Sequence, residues 1–268
     1  MIIIFFVIGY YLGNKEYINS KMKFNNNKLI KQIILHNLLS NFISYSQFLE
    51  DLILFCFLND VKKGFYIDIG ANDPNYISVT KAFYLRGWNG INIEPLPEKY
   101  QSLLKNRKRD INLKIGVGAK RRETTLYANG AGSTTSKINS RNQARKLNIT
   151  IDTMENICRK YVPKNIEIQF CKIDIEGDEK NALLGYDFKN YRPKIFLIES
   201  ADPILNRPNY DSWEYILLGN DYSFIYQYKI NRFYIDNRAK DLEQKLVYVE
   251  KYISNYEKFK KHTKKGIS

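Results

Sequence analysis

The sequence predicts an α/β domain with a mostly parallel sheet, helices on both faces and an antiparallel hairpin at its C-terminal end. Its 268 residues and apolar share of 44% are enough for a packed core. Short apolar runs alternate with stretches of helical period, and helical crossovers between strands favour parallel pairing. The clearest unit is the strand Phe65–Ile69, which ends at Gly70 and is followed by an N-cap and a helix-starting proline, Asp73 and Pro74.

The remaining elements follow from the hydrophobic period along the chain. Tyr45–Leu54 is expected to be a helix that leads into the core, and Gly130–Ser136 a flexible loop. Further helices are predicted over Ser78–Arg86, with Gly87 as C-cap, over Pro97–Arg107, and around Leu183 and Leu184. Further strands are predicted over Gly90–Glu94, Ile111–Val117, Arg121–Tyr127, Ile168–Gly177 and Pro193–Glu199, and the C-terminal hairpin over Asp221–Tyr228 and Asn231–Asp236.

The turn after the first strand indicates the kind of ligand. A dinucleotide-binding turn has glycines at the second and fifth positions after its first glycine, and this chain has Asn72 and Asn75 there. The carboxylates of Asp68 and Asp73 flank the turn. Their negative charges would repel a pyrophosphate and would suit a ligand that carries an ammonium and a sulfonium. S-adenosylmethionine is such a ligand. The expected cofactor residues are Asp68, Gly70, Ala71, Asn72 and Glu94.

Glu94 strengthens this hypothesis. Cofactor folds of this kind need an acidic residue at the end of the next strand, roughly 20 residues on, to accept hydrogen bonds from the ribose hydroxyls. Glu94 ends the strand Gly90–Glu94 and meets this requirement. The turn alone is also compatible with a structural strand-to-helix corner, but the two features together favour a cofactor site.

Three acids are the catalytic candidates. Asp174 and Glu176 are two residues apart, on the same side of an extended chain, and Glu199 ends the next strand. Each is a candidate general base for an acceptor hydroxyl, and Asp174 and Glu176 are also possible ligands of a divalent metal ion. The alternative is that Asp174 and Glu176 cap the following helix and bind the cofactor's amino group. His36 and His262 lie outside the predicted core, so a histidine base is not expected.

The charge of the chain limits the kinds of partner that are expected, and its cysteine content limits the expected cellular compartment. Lys and Arg number 42 against 28 Asp and Glu, a net charge of +14. Such a charge favours anionic partners or an anionic membrane face. Cys56, Cys158 and Cys171 are widely spaced and form no C-x-x-C pair. They indicate neither a disulfide framework nor a zinc site, and a reducing compartment such as the cytoplasm is expected.

The two ends of the chain are predicted to differ from the domain between them. Residues 1–44 are expected to be an apolar segment and a helix, in which the run Ile2–Leu12 is shorter than the roughly 20 residues that span a bilayer. Residues 239–268 read as a basic amphipathic tail, with lysines concentrated between Lys258 and Lys265. Together they predict peripheral contact with an anionic membrane.

Between residues 45 and 236 a set of motifs follows in order: Tyr45-Ser46-Gln47, Glu50-Asp51-Leu52, Phe65–Asn72, Ile93-Glu94-Pro95, Gly132-Ser133-Thr134, Thr150-Ile151-Asp152, Lys172–Gly177, Arg192-Pro193 with Glu199, and Asn231–Tyr234. With these motifs the chain resembles the FkbM family of S-adenosylmethionine-dependent O-methyltransferases. The resemblance implies a class I methyltransferase (Rossmann-like) fold over residues 45–238, and an association with glycan or secondary-metabolite biosynthesis. A sugar hydroxyl is therefore the expected acceptor. One departure is Leu49, which stands where the family pattern leads us to expect glycine.

Two other functions stay open at this point. A nucleic-acid methyltransferase would also be basic, because it follows phosphates. Its amino-methylating class is expected to carry an N/D-P-P-Y type tetrapeptide where this chain has Asp174–Gly177, and no cysteine here follows a proline, as a cytosine-type nucleophile would. A non-catalytic binding protein of the same fold is the second alternative. The intact turn and Glu94 favour an enzyme.

Overall fold

The computed structural model describes residues 42–129, 132–134, 145–202 and 207–254. All of these except Phe42 belong to one structural unit, residues 43–268. The apolar run Ile2–Leu12, the helix expected before Phe42 and the lysines between Lys258 and Lys265 lie outside the described residues. Within the described ranges, no helix is both long enough and apolar enough to cross a membrane.

Strands and short helices alternate along the described chain. Two 3₁₀ turns occur at Tyr210–Ser212 and Lys240–Lys245, and residues 246–254 are helical. The α-helices are α1 (Glu50–Leu58), α2 (Lys81–Leu85), α3 (Pro97–Asn106), α4 (Met154–Tyr161), α5 (Glu179–Leu184) and α6 (Glu214–Leu218). The strands are β1 (Phe65–Ile69), β2 (Asn89–Ile93), β3 (Ile111–Leu113), β4 (Gly116–Val117), β5 (Arg122–Asn129), β6 (Gly132–Thr134), β7 (Arg145–Asp152), β8 (Ile168–Ile173), β9 (Ile195–Glu199), β10 (Tyr222–Tyr228) and β11 (Asn231–Asp236).

A seven-stranded sheet has the order β10-β11-β9-β8-β1-β2-β3. The pairs β1–β2, β2–β3, β1–β8 and β8–β9 are parallel, whereas β11 runs antiparallel to both β9 and β10. The prediction of an α/β fold with a mostly parallel sheet is confirmed. The strand order reverses between β1 and β8, and this is where open α/β sheets bind ligands.

The two central strands are buried along their whole length, as expected for parallel strands covered on both faces. Asp68 in β1 and Lys172 in β8 are the charged residues within these apolar runs. Charges in such positions are costly unless they are paired. Their pairing is therefore part of how the site is built.

The chain after Gly70 does not enter a helix at Asp73 and Pro74, so that part of the prediction is wrong. Asp73 Oδ1 does accept hydrogen bonds from the N–H groups of Asn75 and Tyr76, at 2.9 and 3.1 Å, as an N-cap would. Ile77, however, has a φ of +52°, which breaks the right-handed path. The helix that follows, α2, is confined to Lys81–Leu85.

The helix predicted from Tyr45 likewise begins later, at Glu50. Leu49 has a φ of +65°, the left-handed conformation that favours glycine. This explains why glycine is expected there, and the buried leucine side chain offsets part of the strain. The residues before the helix are held by its first two acids: Ser44, Tyr45 and Ser46 donate to Asp51, and Phe48 donates to Glu50.

The strand predicted over Ile111–Val117 is two strands in two different sheets. β3 extends the central sheet, whereas β4 pairs with β7 in a second sheet of order β4-β7-β5-β6. A Cβ at Gly116 would lie 2.5 Å from Ile151 Cδ1, so glycine allows β4 to approach β7 this closely. The strand predicted from Arg121 is β5, which pairs antiparallel with both β7 and β6.

The stretch after β11 packs against the rest of the unit. Lys245 Nζ donates to the carbonyl oxygen of Phe57 in α1 and to Asp60 Oδ1, both at 2.8 Å. Val249 and Ile253 are buried. The first part of the expected tail is thus bound to α1.

Candidate active site

A cavity of about 570 Å³ lies at the carboxyl ends of the central strands. The turns after β1, β2 and β8 supply Gly70, Glu94 and Asp174 to its lining, and Glu199 is the last residue of β9. Ile151 and other apolar side chains of the second sheet form a further wall. The cavity therefore joins three of the predicted cofactor residues, Gly70, Asn72 and Glu94, to the predicted catalytic acids, whereas Asp68 and Ala71 are not in its lining.

Gly70 fixes the turn at the end of β1. Its φ is +78°, and a Cβ at this position would lie 1.9 Å from the carbonyl oxygen of Asp174. The N–H groups of Gly70 and Ala71 both donate to the carbonyl oxygen of Ile93, at 3.0 and 3.1 Å. The turn is thus clamped between β2 and the segment after β8, and only glycine fits there.

Glu94 is held by two backbone N–H groups. Asn72 N–H donates to Oε2 at 2.8 Å and Leu96 N–H donates to Oε1 at 2.9 Å. Burial raises the pKa of Glu94, and the two N–H groups oppose this shift. Each carboxylate oxygen retains a lone pair for a further hydrogen bond. A buried carboxylate of fixed orientation therefore lines the cavity where ribose hydroxyls are expected.

Lys172 has a central position that the sequence analysis missed. Its Nζ donates to the carbonyl oxygen of Gly70 at 2.8 Å, and lies 3.2 Å from Asp174 Oδ2 and 3.3 Å from Asp68 Oδ1. Burial alone would lower the pKa of Lys172, but the charges of Asp174 and Asp68 outweigh it and the pKa is raised. Its signal in the sequence is a lone lysine inside an apolar strand.

Asp68 and Ala71 are buried. Asp68 Oδ2 accepts a hydrogen bond from Thr80 Oγ1 at 2.9 Å, while its Oδ1 faces Lys172 as an ion pair outside hydrogen-bond geometry. Asp68 thus acts on the cavity through Lys172. We expect it to orient the site, with Gly70, Asn72 and Glu94 facing the ligand.

Asp174, Glu176 and Glu199 all line the cavity. Burial, followed by the charge of Asp174 and a hydrogen bond with it, raises the pKa of Glu199 to about 10. Burial and then the Asp174 charge also raise the pKa of Glu176. Asp174 is partly open to solvent, with 39% of its side chain exposed. A pKa this high favours the protonated, neutral form of Glu199 at neutral pH.

Glu179 supports this cluster and was also missed. It is the first residue of α5, and its Oε1 accepts hydrogen bonds from the N–H groups of Ile175 and Gly177 at 3.2 and 3.0 Å. Burial raises its pKa to about 7. Glu179 therefore fixes the segment that carries Asp174 and Glu176. An acid in the first turn of a predicted helix is the signal that could have identified it.

Residues 68–228 match the model of the methyltransferase FkbM domain. The chain belongs to the FkbM methyltransferase family. The match begins at Asp68 and includes the Gly70 turn, Glu94 and the three acids. It confirms the resemblance that the motifs predicted. A comparison with curated proteins gave no match.

In this FkbM methyltransferase, no group of three or more His, Cys, Asp or Glu side chains in the described part of the chain is arranged to hold a metal ion. Metal ligation by Asp174 and Glu176 therefore gains no support from the geometry. Cys56, Cys158 and Cys171 are free and buried. Burial raises the thiol pKa of each. They are poor candidates for nucleophiles or ligands.

Proposed function

We propose that this FkbM methyltransferase uses S-adenosylmethionine to methylate a hydroxyl group of a sugar. The observation that carries the proposal is the single cavity that contains both Glu94 and the acid cluster of Asp174, Glu176 and Glu199. A cofactor bound at Glu94 and an acceptor bound at the acids would share one enclosed space. Methyl transfer requires this proximity, because orientation and exclusion of water supply much of the rate acceleration.

The residues present fit this cofactor. Glu94 offers hydrogen-bond acceptors to the ribose hydroxyls, while Leu96, Ile115 and Val117 give the same part of the cavity apolar walls that suit an adenine ring. Lys172 compensates part of the negative charge, but the lining remains acidic. An acidic lining stabilises a cationic ligand and disfavours a pyrophosphate.

Asp174 is the proposed general base. S-adenosylmethionine would supply a methyl group bonded to a sulfonium sulfur. This sulfur is a good leaving group because it departs as a neutral thioether. Asp174 then has to accept the proton of the acceptor hydroxyl, and its partial exposure leaves it accessible from the cavity. Lys172 holds one of its oxygens at 3.2 Å. Glu199 is less suited to this role because its raised pKa keeps it protonated at neutral pH.

Calorimetry with S-adenosylmethionine tests the cofactor part of the proposal. We expect Glu94→Gln to weaken binding roughly 5- to 150-fold, because unpairing buried polar groups costs about 1–3 kcal/mol. Glu98→Gln is the matched control, since Glu98 is exposed and pairs with Arg145. Thermal unfolding of both variants checks that they are folded. Equal affinity in Glu94→Gln and wild type would remove Glu94 from the cofactor site.

Transfer of a radiolabelled methyl group tests the acceptor part. Wild-type protein is incubated with labelled S-adenosylmethionine and a panel of methyl glycosides, with DNA and RNA in parallel samples. We expect label in one or more glycosides. Label that enters only the nucleic acids, or none of the samples, would contradict a sugar acceptor while leaving the cofactor result intact.

A further inference from the structure

The loop after the Gly70 turn carries two exposed apolar side chains that line the mouth of the cavity. Tyr76 is 73% exposed and Ile77 is 43% exposed. Exposed apolar groups at the mouth of a ligand cavity commonly take part in binding. Glu94, in contrast, is 5% exposed and lies deep. The loop is thus placed to contact an outer ligand rather than the ribose end of the cofactor.

This loop is held in a strained conformation. Ile77 is β-branched and has a φ of +52°, a combination that is rare without a functional reason. Arg107, which is fully buried, donates from Nε and Nη2 to the carbonyl oxygen of Pro74 at 3.1 and 2.8 Å. Its Nη2 also donates to Ser78 Oγ at 2.8 Å. Both sides of the Tyr76–Ile77 pair are therefore fixed by one side chain.

A second set of contacts also holds the backbone of the loop. Asp73 accepts the N–H of Tyr76 at 3.1 Å and lies 3.4 Å from Lys99 Nζ. Ser78 N–H donates to the carbonyl oxygen of Tyr45 at 3.0 Å. The backbone that carries the ring is therefore already ordered before a ligand covers it, which lowers the entropic cost of binding.

The chemistry of the cavity indicates which ligand would cover the ring. A sugar presents hydroxyl groups along its edge and C–H groups on its face. The carboxyl groups of Asp174 and Glu176 can bind the hydroxyls, and the face of an aromatic ring is complementary to C–H groups that carry partial positive charge. One cavity contains both kinds of surface.

We propose that Tyr76 and Ile77 form an acceptor clamp, in which Tyr76 covers the apolar face of the sugar ring and Ile77 fixes the position of Tyr76. This inference rests on the proposed function and assigns the acceptor side of the same cavity. Tyr76 acts by contact with the acceptor and determines which sugars bind. Ile77 is a positioning residue.

Saturation-transfer NMR tests the clamp without requiring turnover. The full-length protein is saturated with S-adenosylhomocysteine, and methyl glycosides of glucose, galactose, mannose and rhamnose are the probes. We expect Tyr76→Ala to reduce the signal of the bound glycoside. In separate methyl-transfer assays with S-adenosylmethionine, the same variant should raise the KM of that glycoside at least 10-fold. Tyr76→Phe should retain both, since it keeps the ring. Tyr215→Ala is the control, because Tyr215 is an exposed tyrosine on α6 outside the cavity.

Ile77→Gly separates a positioning role from a structural one. Glycine relieves the strain of the left-handed backbone, and this gain opposes the loss of the partly buried Ile77 side chain and the greater freedom of the unfolded chain, so the Tm should change little. The acceptor KM should nevertheless rise several-fold, because Tyr76 loses its fixed position. A fall in Tm with an unchanged KM would overturn the role of Ile77.

Two results would overturn the clamp itself. One is a glycoside signal and KM that are the same in wild type and Tyr76→Ala. The other is a loss of affinity for S-adenosylmethionine in Tyr76→Ala, which would place the ring against the cofactor. In both cases methyl transfer by the wild-type protein would still support the proposed function. If the wild-type protein binds no glycoside, both the clamp and the sugar acceptor are wrong. Calorimetry with S-adenosylmethionine remains an independent test of the cofactor site.

Discussion

Replacing Lys172 with methionine tests how the centre of the site is held together. Methionine keeps most of the side-chain volume and removes the charge. Lys172 and Asp68 have side chains that are only 10% and 2% exposed, so Asp68 would be left as a buried charge without its counter-ion. Breaking a buried ion pair from one side costs about 3–5 kcal/mol. Losing the contact with Asp174 contributes less to the destabilisation, because 39% of the Asp174 side chain is exposed and water can replace the lysine there.

Urea denaturation followed by circular dichroism measures this free energy of unfolding. Lys245→Met is a matched control, because Lys245 Nζ also contacts a carbonyl oxygen and a carboxylate at 2.8 Å. Its partner Asp60 is 65% exposed, so its ion pair should contribute no more than about 1 kcal/mol. We therefore expect Lys172→Met to be clearly the more destabilising of the two.

A double-mutant cycle with Asp68→Asn isolates the pair. Asparagine retains an oxygen that can accept from Thr80 Oγ1, and it removes the charge that methionine leaves unpaired. We expect the double variant to lose at least about 1 kcal/mol less than the sum of the two single variants. Additive losses, or a Lys172→Met loss equal to that of Lys245→Met, would refute the reasoning.

Three further predictions concern the acids and the membrane. Asp174→Asn should lower turnover by roughly 10²–10⁴ with little change in cofactor affinity; loss of cofactor binding alone would assign Asp174 to the cofactor pocket instead. Burial raises the pKa of Glu179 from 4.5 to about 7, so the stability linked to Glu179 is complete below pH 4.5 and is lost as the pH rises through 7. Glu179→Gln should therefore reduce the fall in unfolding free energy between pH 5 and pH 8 in urea titrations, and an unaltered fall would exclude Glu179 as its source. The lysine-rich C-terminal residues should favour anionic over neutral liposomes in flotation, by about 1 kcal/mol per lysine at the surface and less in high salt; equal flotation with both lipids would reject the electrostatic contact.

The sequence predicted those parts of the site that depend on neighbouring residues. The Gly70 turn and Glu94 follow from a strand, a glycine and an acid at a known spacing, and the structure brings both to one cavity. The strands that carry Asp174 and Glu199 were recognisable for the same reason.

The parts that depend on distant contacts could not be predicted in this way. Lys172 has its role because it donates to Gly70, 102 positions away, and no local pattern encodes that partner. Glu179 bonds within its own segment, and its place in the first turn of a helix was the local signal for it. Leu49 and Ile77 adopt left-handed backbone conformations that their residue types disfavour. Surrounding contacts must impose these conformations, which is why two predicted helices begin later than expected.

The hydrogen bond from Lys172 to Gly70 joins residues 102 positions apart, and this separation affects how the protein can be made. A growing chain that has reached β3 contains the Gly70 turn and Glu94 but still lacks β8, the second neighbour of β1. Until β8 emerges, the apolar strand β1 has an open edge, which is a surface prone to aggregation. Premature termination before Ile168 should therefore yield insoluble chains in which neither half of the cavity is formed.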